Sequence, residues 1–213
     1  MYLFASEASN IFRATFMADN LEYQFNDEKL LTWDIYAYAG YDLNKIYIYS
    51  EGEKAKDVSS AKSENQLVYS RAISPYWDIQ IGIGYDKTQD SHKNWGVIGL
   101  QGLAPYFFET RTSFLIADDG AVGLRADAEY EALITQRLIL TPSVAFAAYT
   151  KNDTQMDTGS GFSNLTLGAR IRYEFVREFA PYMGVEWSKN FGNTDKMESL
   201  NEVYVTLGLR FWF

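Results

Sequence analysis

Residues 164–175 alternate without a break. Asn164, Thr166, Gly168, Arg170, Arg172 and Glu174 fall on one side of an extended chain, and Leu165, Leu167, Ala169, Ile171, Tyr173 and Phe175 on the other. A period of two is the pattern of a β-strand, and this run is about twice the usual strand length. The pattern recurs. Trp77, Ile79, Ile81, Ile83 and Tyr85 oppose Asp78, Gln80, Gly82, Gly84 and Asp86, and Val203, Val205, Leu207, Leu209, Phe211 and Phe213 oppose Glu202, Tyr204, Thr206, Gly208 and Arg210. Twelve such segments can be marked, near 12–25, 30–40, 42–51, 64–74, 76–86, 94–104, 106–117, 122–135, 138–150, 161–176, 179–190 and 201–213. The first changes phase. Phe12, Ala14 and Phe16 have the opposite parity to Leu21, Tyr23 and Phe25, which predicts a β-bulge near Asp19-Asn20.

The connections alternate in length. Gly40-Tyr41, Ser74-Pro75, Ala104-Pro105, Gln136-Arg137 and Arg177-Glu178 are short, whereas 52–63, 87–93, 151–159 and 192–200 are long and polar. Hairpins with short turns at one end and long loops at the other form an up-and-down meander, and with an even strand number this is the outer-membrane barrel arrangement. The expected fold is therefore all-β: a transmembrane up-and-down antiparallel β-barrel of about 12 strands, filling 1–213 as a single domain. Residues 1–10 are expected to be the remnant of an N-terminal periplasmic segment. A soluble β-sandwich is the competing fold. Its strands run to about 5–6 residues, and it would not carry so many charged side chains opposite so many aromatics. The aromatic residues Trp77, Tyr85, Tyr173, Phe175, Trp187, Phe211 and Phe213 sit near strand ends, as in the girdles at lipid–water interfaces.

Composition narrows the function. Hydrophobic residues make up 47% of the chain, yet mean hydropathy is −0.25, and no run approaches the roughly 18 apolar residues of a membrane helix. The net charge of −9 argues against nucleic acid. With no Cys and one His, thiolate sites and His clusters are excluded. The pair Ser91-His92 would have to supply a membrane-embedded hydrolase, but adjacent residues rarely form a nucleophile–base pair. The chain is expected not to be an enzyme.

If the apolar parity faces lipid, the other faces a lumen. Inward carboxylates are then Glu22, Asp34, Asp78, Glu109, Asp127, Glu129, Glu131, Glu174 and Glu186, and inward cations are Lys45, Arg111, Arg125, Arg170, Arg172 and Arg210. The excess of carboxylates predicts a lumen that concentrates cations, beside the plainer possibility of a salt-bridge network that stiffens the barrel. The segment 138–150 turns only Thr141, Ser143, Ala145 and Ala147 inward, which leaves room for long side chains on its neighbours to cross and pair. Among the thioethers, Met183 shares parity with outward residues, Met156 and Met197 lie in outer loops, and Met17 is the one lumenal candidate as a soft donor.

Several runs resemble the copper resistance protein B family. They include Asp19-Asn20-Leu21-Glu22, Trp33-Asp34, Ser50-Glu51-Gly52-Glu53, Trp77-Asp78 and Arg170-Ile171-Arg172-Tyr173-Glu174. The most specific are Leu103-Ala104-Pro105-Tyr106-Phe107-Phe108-Glu109 and Arg177-Glu178-Phe179-Ala180-Pro181-Tyr182-Met183-Gly184-Val185. The resemblance implies an outer-membrane protein that moves or sequesters copper ions alongside a periplasmic multicopper oxidase. Members of that family often carry a Met/His-rich segment ahead of the barrel, and here only Met1 and Met17 precede Asp19. The candidate metal contacts are Met17, Glu22, Asp34, Asp78, Glu109, Glu129, Glu174 and Glu186. The terminal Leu207, Leu209, Phe211 and Phe213 resemble the signal presented to the barrel assembly machinery. A general narrow outer-membrane channel for small solutes is the alternative reading.

Overall fold

The computed structural model describes residues 11–25, 30–56 and 61–213. The expected N-terminal remnant at 1–10 lies outside them. Strands run in chain order: β1 (Arg13–Phe25), β2 (Leu30–Tyr41), β3 (Asn44–Ala55), β4 (Lys62–Ser74), β5 (Trp77–Lys87), β6 (His92–Ala104), β7 (Phe108–Ala117), β8 (Val122–Tyr130), β9 (Ala132–Leu133), β10 (Leu138–Tyr149), β11 (Gly161–Tyr173), β12 (Phe179–Asn190) and β13 (Asn201–Trp212). Each pairs antiparallel with its neighbours, β1 meets β13, and β10 meets both β8 and β11, so the sheet closes on itself. Closure leaves no open edge, which is what permits a sheet to sit in lipid. The two-residue β9 continues β8 against β10 after a break at Glu131, so the barrel has twelve long strands. Most are 9–13 residues long, enough to cross a bilayer core when tilted.

The structure differs from the expected segments in three places. The segment 106–117 begins later, because Pro105–Phe107 forms a 3-10 turn with Tyr106 and Phe107 at φ 67° and 65°. The segment 122–135 is interrupted, and the loop after β12 holds a short helix, α1 (Gly192–Met197). The bulge is present. The register of β1 against both β2 and β13 shifts after Ala18.

Parity separates two walls. Ile46, Ile48, Ile79, Ile81, Ile83, Val203 and Val205 are exposed on the outer wall. The inner wall is not uniformly polar. One register row passes through Tyr47, Val68, Gly82, Val97, Leu115, Gly123 and Tyr149 in adjacent strands. Its side chains, with Tyr49, Trp95, Ala117 and Ala121, form a buried apolar cluster inside the barrel, and Tyr36 and Tyr38 pack against it. The simple assignment of apolar residues to lipid and polar residues to the lumen therefore fails on the β3–β7 side. Burying each of these large side chains stabilises by about 1.5–3 kcal/mol, so this half of the lumen acts as a core.

Candidate functional site in the lumen

Beyond the aromatic half, the lumen keeps a cavity of about 580 Å³. Its lining comes from β1–β4, β6–β8 and β10–β13 and includes Asp34, Glu51, Glu64, Glu109, Arg111, Arg125, Glu129, Arg170 and Arg210. The register explains why charges meet there. Asp34 stands opposite Glu51, Glu51 opposite Glu64, and Glu64 opposite Asp86, so four neighbouring strands set carboxylates side by side. Like charges directly opposite one another are destabilising. Two arginines from β7 and β8 offset the repulsion. Arg111 pairs with Glu51 and, at 3.2 Å, with Asp127. Arg125 reaches Glu64 at 2.8 Å and Asp86 at 2.6 Å. Asp86 also accepts a hydrogen bond from Trp95 Nε1 at 2.7 Å. Arg111 stacks over the Tyr49 ring, 4.8 Å from its centroid, so the apolar half orients the charged half.

A second network fills the wall formed by β10–β13 and β1. Arg170 donates to Glu22, to Glu186 at 2.8 Å and to Ser143 at 3.3 Å. Arg172 donates to Glu131 at 2.6 Å and to Thr141 at 3.3 Å, and lies 3.7 Å from Glu174. Arg210 meets Asp19 at 2.5 Å and Glu131 at 3.5 Å. The small inward residues of β10 make this crossing possible, as their spacing predicts. Glycines do the same on β11 and β13. A Cβ at Gly168 would lie 2.8 Å from Arg170 Nη1, and one at Gly208 would lie 2.4 Å from the Tyr182 ring. Tyr182 thus lies flat over Gly208, and its hydroxyl donates to Glu22 at 3.0 Å.

The bulge in β1 accounts for Asp19. With the register shifted after Ala18, Asn20 stands opposite Asp34, and both Asp19 and Asn20 reach lumenal partners, Arg210 and Tyr182. Asp19, Glu51, Glu64 and Asp86 did not stand among the carboxylates expected from the sequence. Continuing the parity of Tyr47 and Tyr49 up β3 reaches Glu51, and that of Gln66 and Val68 reaches Glu64.

The sequence-predicted residues separate into two groups. Glu22, Glu174 and Glu186 are held by arginines, and Asp78 lies 3.8 Å from Lys45 and accepts from Ser70 at 3.2 Å. Asp34, Glu109 and Glu129 line the cavity with no ion pair among the described residues, and Glu109 and Glu129 face each other across β7 and β8. Met17 stands opposite Tyr36 and so shares the inner wall. Met183 faces outward and is 56% exposed. Among the described residues no group of three or more His, Asp or Glu side chains converges as metal ligands do. His92 lies on the outer wall, its ring 5.6 Å from that of Tyr85, while the Ser91 hydroxyl donates to Gln155. These two form no nucleophile–base pair.

Known proteins place this geometry. Residues 12–213 match the model of the family described as "Copper resistance protein B precursor (CopB)". The copper resistance protein B of Escherichia coli is 36% identical over 203 residues, 92% of this chain and 68% of that protein. A copper resistance protein B homolog from Pseudomonas syringae pv. tomato is 35% identical over 204 residues, 93% of this chain and 69% of its own length. Among solved structures, the NanC porin superposes with a TM-score of 0.59 at 11% identity, covering 93% of this chain and 99% of that one. The KdgM porin does so at 0.51 and 10%, covering 95% and 99%. Identities this low speak for the fold alone. The chain is a non-enzymatic β-barrel of the bacterial outer membrane. It belongs to the copper resistance protein B family.

Proposed function

We propose that this protein moves or holds copper ions within an acidic lumen, and that Asp34, Glu109 and Glu129 are the carboxylates that meet the ion. The observation that carries the reading is that these three line the cavity without an ion pair among the described residues, while every lumenal arginine is engaged by carboxylates. Carboxylates outnumber cations along this wall, and a surplus of one sign in a low-dielectric tube concentrates counter-ions. Glu22, Asp78, Glu174 and Glu186, each with a cationic partner, contribute to the field. Met17 is the one soft donor on this wall among the described residues.

The donors are otherwise oxygens, which select poorly among divalent metals. Such a lumen suits passage or loose holding, so selective capture falls to a partner. A periplasmic multicopper oxidase, implied by the family, would exchange copper with the short-turn end. The terminal run ending at Phe213 would engage the assembly machinery.

The test is a copper-tolerance assay on cells carrying Asp34→Asn/Glu109→Gln/Glu129→Gln, with reversal potentials of the purified barrel in planar bilayers. Tolerance is expected to fall toward that of cells lacking the protein, and the preference for cations to weaken. Unchanged tolerance would favour a general solute channel, and an anion-selective wild type would end the acidic-lumen reading.

A further inference from the structure

We propose that the outer wall carries a binding site for one phospholipid of the periplasmic leaflet, with an acyl chain in a groove along β2 and the phosphate at Arg71. The groove, of about 810 Å³, lies at the short-turn end. It follows from side-chain size. Ala37 and Ala39 are outward on β2, with Ala14 beside them on β1, and larger residues flank this floor: Phe16 and Phe213 on one side, Tyr69 on the other. On β5 the outward positions are all large, Ile79, Ile81 and Ile83, and no such trough can form there.

The occupant is argued from position and charge. The groove is continuous with the wall that the outer-membrane barrel turns toward lipid, so hydrocarbon is what reaches it. Apolarity alone selects nothing, because lipid tails are as apolar as the side chains they touch. Selection comes from Arg71. It is the next outward residue on β4 after Tyr69, it is exposed, and it stands opposite Asn44, which lines the groove and accepts a hydrogen bond from Tyr69 at 2.5 Å. Among the described residues Arg71 has no ion-pair or hydrogen-bond partner, whereas the nearby Asp42 is already beside Arg13. A guanidinium at the lower edge of the lipid band is placed for a phosphodiester.

The barrel, delipidated in mild detergent, is titrated with dioleoyl phosphatidylglycerol, and bound lipid is counted by native mass spectrometry. One tightly held lipid is expected. Ala37→Phe, which fills the trough, should abolish it. Arg71→Gln should weaken it about fivefold, Arg71→Lys should retain it, and dioleoylglycerol, which lacks the phosphate, should bind no better than phosphatidylglycerol binds Arg71→Gln. Val205→Phe on a distant part of the outer wall should change nothing. Heat-resistant migration on gels reports that each variant is folded. The proposal is overturned if folded Ala37→Phe and Arg71→Gln barrels bind phosphatidylglycerol as the wild type does, or if dioleoylglycerol or lipopolysaccharide is held equally well.

Discussion

Arg170→Met is the sharpest probe of how the lumen is held together. The substitution keeps an unbranched apolar stem and removes the guanidinium that joins Glu22 on β1 to Glu186 on β12. The Glu22 side chain is only 1% exposed and that of Glu186 15%, so neither carboxylate is readily rehydrated where it stands. Breaking a buried pair by removing one partner costs about 3–5 kcal/mol, because the other charge stays buried. Glu22 keeps its hydrogen bond from Tyr182, which moderates the loss, so the lower end, about 3 kcal/mol, is expected. That is more than a hundredfold in the folding equilibrium, at about 1.4 kcal/mol per factor of ten. Urea unfolding of the barrel in lipid vesicles, followed by tryptophan fluorescence, reads it. In Arg170→Met/Glu22→Gln the more deeply buried of the two stranded charges is gone, and stability should partly return. A loss below about 1 kcal/mol for the single variant would be that of an exposed ion pair, and would refute the buried network.

Arg111→Gln frees Glu51 and Asp127 from their tie across the lumen, and single-channel recording should show cation conductance raised about twofold or more; unchanged conductance would mean that this tie does not limit the path. Deleting Asn20 removes the extra residue of the bulge, so Phe12, Ala14 and Phe16 fall into one unbroken alternation with Leu21, Tyr23 and Phe25. Both halves of β1 then keep their apolar side toward lipid, and the heat-resistant barrel band should survive. In the loop after β7, Asp119 accepts from the Ala121 N–H at 2.7 Å and from Lys93 at 3.1 Å, and these contacts hold its carboxyl below the usual carboxylate range. A depressed pKa means that the contribution to loop order is complete above the unfolded value, about 3.9, and is lost as pH falls through the folded one. Protection of the Ala121 amide, taken relative to a free amide at the same pH, should therefore persist through mildly acidic pH and fall below it, and Asp119→Asn should be less protected at neutral pH, because the contact from Lys93 loses its ionic partner.

The strands were legible because lipid imposes a strict rule. A charge on the lipid side is costly, so the outward parity stays apolar over most of a strand, and even the bulge at Asp19-Asn20 shows as a change of phase. The rule weakens toward the long-loop ends. Beside Glu51 the outward neighbours are Ser50 and Gly52, and beside Glu64 they are Ser63 and Asn65. With both faces polar there is no apolar residue to set the phase, and these carboxylates were missed. Asp19 was missed for a different reason. Its inward placement depends on the bulge, which hydrophobicity locates only to within a residue or two. Helix α1 carries no apolar stripe in Gly192-Asn193-Thr194-Asp195-Lys196-Met197, and it is held by side-chain contacts such as Thr194 with Ser163 at 2.8 Å.

The inner wall obeys no comparable rule, and there alternation misleads. Lipid cannot solvate charge, but a lumen accepts apolar side chains wherever they are numerous enough to pack on one another. Tyr47 and Tyr49 sit with ring centroids 5.4 Å apart, and Trp95 lies 6.3 Å from Tyr149. The first pair lies on one strand, but the second joins β6 to β10, strands far apart in the chain, and no local window of sequence displays it. Their effect on function is geometric. A twelve-stranded barrel is wide enough to hold water, but with the β3–β7 side filled, the open volume is displaced toward β10 and β11, where Ser143, Ala145 and Thr166 are short. An ion crossing the barrel would pass these residues, with Glu129 on one side and Arg170 on the other. The arginines that tie the carboxylates together also narrow the cavity beside Asp34, Glu109 and Glu129, the three without an ion pair among the described residues.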